Sequence, residues 1–435
     1  MNRKITNTSC YGLDYSKLNK DELNEYNTLN INNVKNMIDV AVIGLGINGA
    51  SVLYNLSKLT NMKCVGFEQH SVENNICSSQ GPSRIIRKAY FEGADHYIPF
   101  INRGYKLWEE IEKESNVTLF NRCGVLFMDI AENGTIVNEI VKSRIKYNFD
   151  CDRISLNDLE KNNPFFKIKD RTYQAVLEKS AGYLYANKCL KALIDISLKN
   201  KNITVKDNTT IISIKQSPDG YYVLSDDKDS NYKCKYLIVA VGSFLVNTDF
   251  YFNIFPGLKK YKRNFRIENA LVNYFKFKNI KDNESLKCPF YIGREKHHLY
   301  GFPDIKDGNF LKIGIYKYYK DNNIDFYKER DKYCEDNYNK MYDLLQDYLR
   351  YFKKENVEIL SFSRCTYTIT SDEHYLIDRI PLEKNAFVIS ACSGHGFKFG
   401  PSIGEYVVKI IKDEIKLDPF FGFSRLDNIN RKSKF

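Results

Sequence analysis

The chain has 435 residues, 43% hydrophobic and 14% aromatic, enough apolar material for two or three domains around large cores and too much for a disordered polymer. Lys and Arg number 65 against 54 Asp and Glu, but these charges are interspersed rather than gathered into a block, which argues against a nucleic-acid site. Eleven irregularly spaced cysteines without a Cys-x-x-Cys pair suit reduced thiols better than a disulfide framework or a zinc knuckle, and no run approaches the ~18–20 apolar residues that span a bilayer, so a soluble chain is expected.

Residues 1–37 are rich in Asn, Lys, Tyr and Asp and include Asp14, Asp21, Glu22 and Glu25. They read as a polar extension with neither a secretory apolar region nor a mitochondrial presequence. Next, Ile38-Asp39-Val40-Ala41-Val42-Ile43 is a β-branched run of strand length that stops at Gly44-Leu45-Gly46-Ile47-Asn48-Gly49. Ala50, Val52, Leu53, Leu56 and Leu59 follow at helical spacing, and a second strand, Cys64-Val65-Gly66-Phe67, ends in Glu68, 19 residues after Gly49. Strand, glycine turn, helix, strand and terminal acid within one βαβ unit form a dinucleotide-binding signature, more specific than a lone G-x-G-x-x-G. Gly44 permits the tight turn, Gly46 lets the backbone approach a pyrophosphate, and Gly49 lets helix and strand pack closely. The helix N-terminus offers N–H groups to the anion. Glu68 would accept hydrogen bonds from a ribose 2′-hydroxyl and repel a 2′-phosphate, which favours FAD or NAD over NADP.

Further along, Gln80-Gly81-Pro82-Ser83-Arg84-Ile85-Ile86-Arg87-Lys88-Ala89-Tyr90 carries two arginines three apart, which on a helical turn would project from a similar side. A strand is expected at Tyr236-Leu237-Ile238-Val239-Ala240-Val241, before Gly242-Ser243-Phe244. The Asn/Lys/Tyr-rich stretch at 316–341 keeps neither a helical nor a strand period for long.

Toward the C-terminus stand His297-His298-Leu299-Tyr300-Gly301-Phe302-Pro303, Leu311-Lys312-Ile313-Gly314, Arg364-Cys365-Thr366-Tyr367-Thr368, Asp372-Glu373-His374-Tyr375-Leu376-Ile377-Asp378 and Ser393-Gly394-His395-Gly396-Phe397-Lys398. With the glycine turn and the Ser83-Arg84-Ile85-Ile86-Arg87 segment, this order closely resembles the monomeric sarcosine oxidase and peroxisomal pipecolate/sarcosine oxidase family of flavin amine oxidases. The resemblance runs from about Ile38 to the end, and the His-His-aliphatic-Tyr-Gly stretch is closest to the pipecolate branch.

That resemblance implies FAD attached through its 8α-methyl group to Cys365. It places Arg84 and Ser83 beside the flavin ring and makes Lys312 the lysine on which oxygen activation depends, a fixed cation where negative charge develops. Arg87 and Lys398 would hold the substrate carboxylate, one through a bidentate fork and one as a point charge. Tyr300 and Tyr367 would line the substrate pocket, and His395 would sit in the glycine-rich turn that approaches the flavin. The implied cofactor contacts are Gly44, Gly46, Ile47, Asn48, Gly49, Glu68, Ser83, Arg84, Ile211, Gly242, Cys365, Gly394, Gly396 and Lys398, and no metal is expected. Two departures stand out: Tyr316 lies where the bacterial oxidases have a histidine, and Gly242-Ser243-Phe244 replaces Gly-Ala-Trp.

The expected fold is α/β, a Rossmann-type FAD-binding domain built from discontinuous segments (38–120, 181–250 and 361–435) plus a substrate domain with a mixed or antiparallel sheet (121–180 and 251–360). The implied reaction oxidises a secondary or cyclic α-amino acid such as sarcosine or pipecolate to an imine, with molecular oxygen as acceptor and H2O2 as product. The alternatives are a flavin dehydrogenase using another acceptor and a non-catalytic flavoprotein module. A monomer is expected. The terminal Ser433-Lys434-Phe435 differs at one residue from the S-K-L peroxisomal address, with cytosol as the default.

Overall fold

The computed structural model describes residues 36–74, 76–132, 134–278, 286–294, 297–303, 310–316, 339, 341–390 and 392–429. The N-terminal extension up to residue 35, most of the Asn/Lys/Tyr-rich stretch and the C-terminal tripeptide lie outside these residues.

Val40, Ala41 and Val42 are wholly buried, because their strand, Asn36–Ile43, lies inside a sheet covered on both faces. A continuous apolar run rather than strict alternation is what such a parallel strand requires. It pairs in parallel with Cys64–Phe67 on one side and Asn231–Val239 on the other. Ile203–Lys206 and Ala386–Ser390 extend the parallel set outward, and Ile211–Gln216 and Tyr222–Asp226 add an antiparallel meander. The helix Ile47–Leu59 packs between the helices Ala186–Ser197 and Gly400–Ile411. Each fully buried Val, Leu or Ile in these layers contributes on the order of 1.5–3 kcal/mol.

A second sheet of eight strands is antiparallel except where Phe290–Arg294 runs parallel to Val125–Ile130. The mixed α/β architecture with two large sheets agrees with the expected fold class. A third, three-stranded sheet joins Arg84–Ile86, Gly182–Leu184 and Phe120–Asn121.

Three local expectations are corrected. The first strand begins at Asn36, inside the stretch read as extension, since Asn36 and Met37 pair with Tyr232 and Lys233. Val357–Thr370 pairs along its length with Phe265–Phe277, so Cys365 and Tyr367 belong to the second sheet, apart from Leu376–Arg379 and Ala386–Ser390 of the first, with which they were grouped from 361 onward. Conversely, Tyr251, Phe252, Phe255, Leu258 and Tyr261 fill the core under the first sheet; apolar burial there outweighs the boundary expected at 251.

Candidate active site

The glycine turn is shaped by contacts that leave no room for side chains. Gly44 has φ +87°, and a Cβ there would lie 2.7 Å from the Ala240 carbonyl oxygen; one on Gly49 would lie 1.9 Å from the Gly44 carbonyl oxygen. A helix therefore starts at Ile47 hard against the end of the first strand, and its first N–H groups have no partners within the helix. Ser79 Oγ accepts the Ile47 N–H at 2.8 Å. Glu68 lies at the tip of the second strand, accepting N–H groups from Leu45 at 3.0 Å and His70 at 3.1 Å. Burial pushes its pKa up, and these bonds pull the other way. The carboxylate expected to read a ribose thus also fastens the glycine turn.

Asn48 lies beside this turn and donates to Cys392 Sγ at 3.3 Å. Its Oδ1 is buried without a partner among the described residues. Asn48 lines a long cavity that runs from the glycine turn to the second sheet. An orphaned acceptor, a helix N-terminus and a terminal carboxylate along one cavity fit a dinucleotide with its hydroxyls and pyrophosphate.

The same cavity receives nearly every residue named from the sequence. Gly44, Gly46, Ile47, Asn48, Glu68, Ile211 and Gly242 line it, and so do Ser83, Arg84, Arg87, Tyr300, Lys312, Cys365, Tyr367, Gly394, His395, Gly396 and Lys398. Gly49 is the exception, since it faces the Gly44 carbonyl instead.

Arg84 and Arg87 stand on no helical turn. Arg84–Ile86 is a short strand, in which positions three apart point to opposite faces. Both arginines still reach the cavity, because Arg87 lies just past the strand end. Arg84 donates to the Ser78 and Gln80 carbonyls at 2.8 and 2.6 Å. Arg87 donates to the Ala89 carbonyl and to Glu92 at 2.6 Å, and its guanidinium sits 4.6 Å from the ring centroids of both Tyr90 and Phe91. Burial opposes the Arg87 charge, but Glu92 together with Tyr90 and Tyr291 outweighs it and raises the pKa. Burial likewise opposes ionisation of Glu92, and Arg87, His395 and Lys398 together hold its pKa below the usual carboxylate value.

Lys312 is buried, with Nζ 2.9 Å from the Ser83 carbonyl and 3.3 Å from its hydroxyl. Burial, then Arg84, drives its pKa well below that of an ordinary lysine, as burial and Arg87 do for Lys398. Lys398 Nζ donates to the His395 carbonyl at 2.7 Å.

The His395 ring is caged. Its Nδ1 lies 2.5 Å from the Tyr90 hydroxyl and 3.1 Å from that of Tyr375, which is also 2.8 Å from the His395 carbonyl. Nε2 lies 3.4 Å from the Glu373 carbonyl. A tautomer with hydrogen on Nε2 satisfies this network: Tyr90 donates to Nδ1 and Tyr375 to the carbonyl. Burial lowers the imidazole pKa to about 3, so His395 is neutral across the physiological range.

Cys365 packs with Ala270, Val272, Tyr274 and Tyr367 at the cavity wall. Tyr300 and Tyr367 are hydrogen-bonded to each other. Gly314 makes space for Tyr300, since a Cβ there would come within 2.2 Å of its hydroxyl.

Residues 39–410 match the family described as FAD dependent oxidoreductase. The chain belongs to that family. It is 27% identical over 375 residues to monomeric sarcosine oxidase from a Bacillus species, covering 86% of this chain and 91% of that one. With human peroxisomal sarcosine oxidase it shares 28% over 405 residues, 89% of this chain and 94% of the relative. N-methyl-L-tryptophan oxidase from Yersinia pestis is 25% identical over 383 residues, 86% of this chain and 95% of that one. Among solved structures, L-proline dehydrogenase from P. horikoshii superposes with a TM-score of 0.69 at 17% identity, covering 90% of this chain and 98% of that one. Glycine oxidase from Bacillus cereus gives 0.65 at 16%, covering 87% and 96%. At such identities these two likenesses speak for the fold alone.

The dinucleotide of this oxidoreductase is accordingly FAD. Two cavity residues were not found by reading its sequence. Glu92 follows Arg87 by five positions, and only the left-handed Gly93 (φ +88°) and the bend before it turn the carboxylate back onto the guanidinium. Tyr291 lines the cavity opposite Tyr300, its cross-strand partner, with its hydroxyl 2.6 Å from His298 Nδ1. Its alignment depends on hairpin register, to which no local motif points.

Proposed function

We propose that this protein oxidises a secondary or cyclic α-amino acid, with FAD held covalently by Cys365 and molecular oxygen as the electron acceptor. The observation that carries this reading is the convergence of Arg84, Arg87, Tyr300, Lys312, Cys365, Tyr367, His395 and Lys398 on the cavity that begins at the glycine turn. The relatives named as sarcosine and N-methyl-L-tryptophan oxidases support the substrate class.

FAD bound here would supply hydride acceptance and return of the electrons to oxygen. The residues of the chain supply the rest. The helix at Ile47 and Glu68 would hold the pyrophosphate and ribose, and Asn48 Oδ1 would accept a hydroxyl hydrogen. Arg87 and Lys398 would grip the substrate carboxylate, Arg87 sharing its guanidinium between that group and Glu92. Their positive charge, with the Lys398 proton restored by the bound carboxylate, would also favour the free-base amine, whose lone pair the reaction requires. The aromatic wall of Tyr291, Tyr300, Phe302 and Tyr367 would exclude water. Lys312 would place its cation where charge develops on oxygen, an anionic neighbour in the cavity restoring the proton that burial disfavours.

The segments of the first sheet would then form the FAD-binding domain and those of the second the substrate domain, acting in a monomer. The cytosol is the proposed location; the peroxisome named for the human relative is the alternative, which a fluorescent fusion at the N-terminus separates.

The test is an H2O2-coupled screen of N-methyl and cyclic amino acids on the purified yellow protein, joined to acid precipitation. Oxidation of at least one such amino acid and flavin retained on the precipitate are expected. Cys365→Ser should release the flavin; retention of covalent flavin by that variant would exclude the attachment.

A further inference from the structure

In the helix Ser424–Ile429, Arg425 makes two bonds to one turn, Asp372–Tyr375, and a third within its own segment. Its Nε donates to Asp372 Oδ2 at 2.8 Å, one terminal nitrogen to the His374 carbonyl at 3.1 Å and the other to the Gly422 carbonyl at 2.9 Å. The guanidinium is largely buried, its side chain 12% exposed. Asp372 spends its other oxygen within the turn, accepting from Thr370 Oγ1 at 2.8 Å and from the His374 N–H at 3.2 Å. Although burial opposes ionisation of Asp372, Arg425 and these bonds keep its pKa below the ordinary value.

The turn is strained at Glu373, a non-glycine residue at φ +62°, a conformation that costs free energy unless its surroundings impose it. Arg425 bonds both residues that flank Glu373, Asp372 and His374, from the inner side. On the outer side Arg266 meets the Glu373 carboxylate at 3.2 Å.

What this turn presents to the cavity is His395. The Glu373 carbonyl faces His395 Nε2 at 3.4 Å, and Tyr375, one residue beyond His374, donates its hydroxyl hydrogen to the His395 carbonyl at 2.8 Å. The same His395 carbonyl receives the Lys398 ammonium. A continuous path of hydrogen bonds and short covalent links therefore runs from Arg425 to a cation that lines the substrate cavity. We propose that Arg425 is a positioning residue for the carboxylate grip, acting through the Asp372–Tyr375 turn, His395 and Lys398. The proposal rests on the reading of Lys398 as a carboxylate ligand.

Titration of the flavin absorbance with acetate reads that grip without turnover. In Arg425→Met the acetate Kd should rise about ten-fold, the loss of roughly one charge-assisted hydrogen bond. KM for the amino acid should rise with it while kcat moves less, since the reacting atoms are untouched. Arg425→Lys keeps the charge but cannot make the fork and should resemble Arg425→Met. Tyr375→Phe removes a single hydroxyl from the path; it should weaken acetate binding, and the double variant should lose no more than the worse single one. An unchanged acetate Kd in Arg425→Met, or additive losses in the pair, overturns the proposal. If Arg425→Met does not yield folded flavoprotein, Tyr375→Phe decides, and an unchanged Kd there overturns it equally. A wild-type protein that leaves acetate unbound overturns it too. One that binds acetate but oxidises no N-methyl or cyclic amino acid refutes the proposed activity and leaves the positioning role standing.

Discussion

The carboxylate of Glu92 lies 2.6 Å from the guanidinium of Arg87, inside the cavity that Arg87 was expected to offer to a substrate. Under the proposed function an incoming carboxylate would compete for Arg87 with Glu92, its resident ligand. Arg87→Lys should raise KM by about one to two orders of magnitude with a smaller change in kcat, because an ammonium cannot serve two carboxylates through a planar fork. Glu92→Gln should act in the opposite sense on acetate, tightening its binding about ten-fold as the competing charge disappears. Spectral titration checks both, and weaker acetate binding in Glu92→Gln would show that Glu92 orients Arg87 rather than competing for it.

Lys312 is bonded to Ser83, without a carboxylate partner in any described bond. Replacing it by Met should slow reoxidation of the reduced flavin by oxygen about 10²-fold, the usual effect of losing one preorganised electrostatic group. Anaerobic reduction by substrate should change far less. Stopped-flow measurement of the two half-reactions separates these, and equal loss in both would remove the assigned role.

Gly49 shapes the cofactor end without touching the cavity. The Cβ of Gly49→Ala would sit 1.9 Å from a backbone oxygen, and neither helix nor strand can yield without opening the turn. The variant should be isolated with little bound FAD and a lowered Tm. Normal yellow protein from Gly49→Ala would show that the packing is looser than described.

Two buried groups contribute opposing pH dependences to the stability. Glu178 has no solvent exposure and accepts the Lys88 and Ala89 N–H groups at 2.8 Å each, yet burial raises its pKa to about 7. Its folded pKa exceeds its unfolded value of about 4.3, so stability declines as pH rises between them, by up to ~1.4 kcal/mol per pH unit. His395 works in reverse: unfolded it binds a proton below about 6.5, whereas folded it resists until about 3, so stability is lost as pH falls through that window. Between about pH 4.3 and 6.5 the two slopes oppose each other and largely cancel, so urea unfolding across pH 4–8 should show Glu178→Gln uncovering a stability that rises with pH and His395→Gln one that falls with pH.

The βαβ unit was legible in the sequence because its determinants are local. A β-branched run, three glycines, an apolar helical face and an acid are each specified within a few residues, and the structure realises them at Asn36–Ile43, Ile47–Leu59 and Cys64–Phe67. Cys365, Tyr367, His395 and Lys398 could be named from motifs, although local pattern could not say what surrounds them. Tertiary structure alone decided that Arg84 and Arg87 leave a strand rather than a helical turn, that Cys365 is carried by the second sheet, that Glu92 and Tyr291 line the cavity, and that Arg425 bonds the Asp372–Tyr375 turn. Those placements depend on strand register and on contacts between segments as distant as residues 87, 291 and 425, where packing and electrostatics act between groups that share no local period.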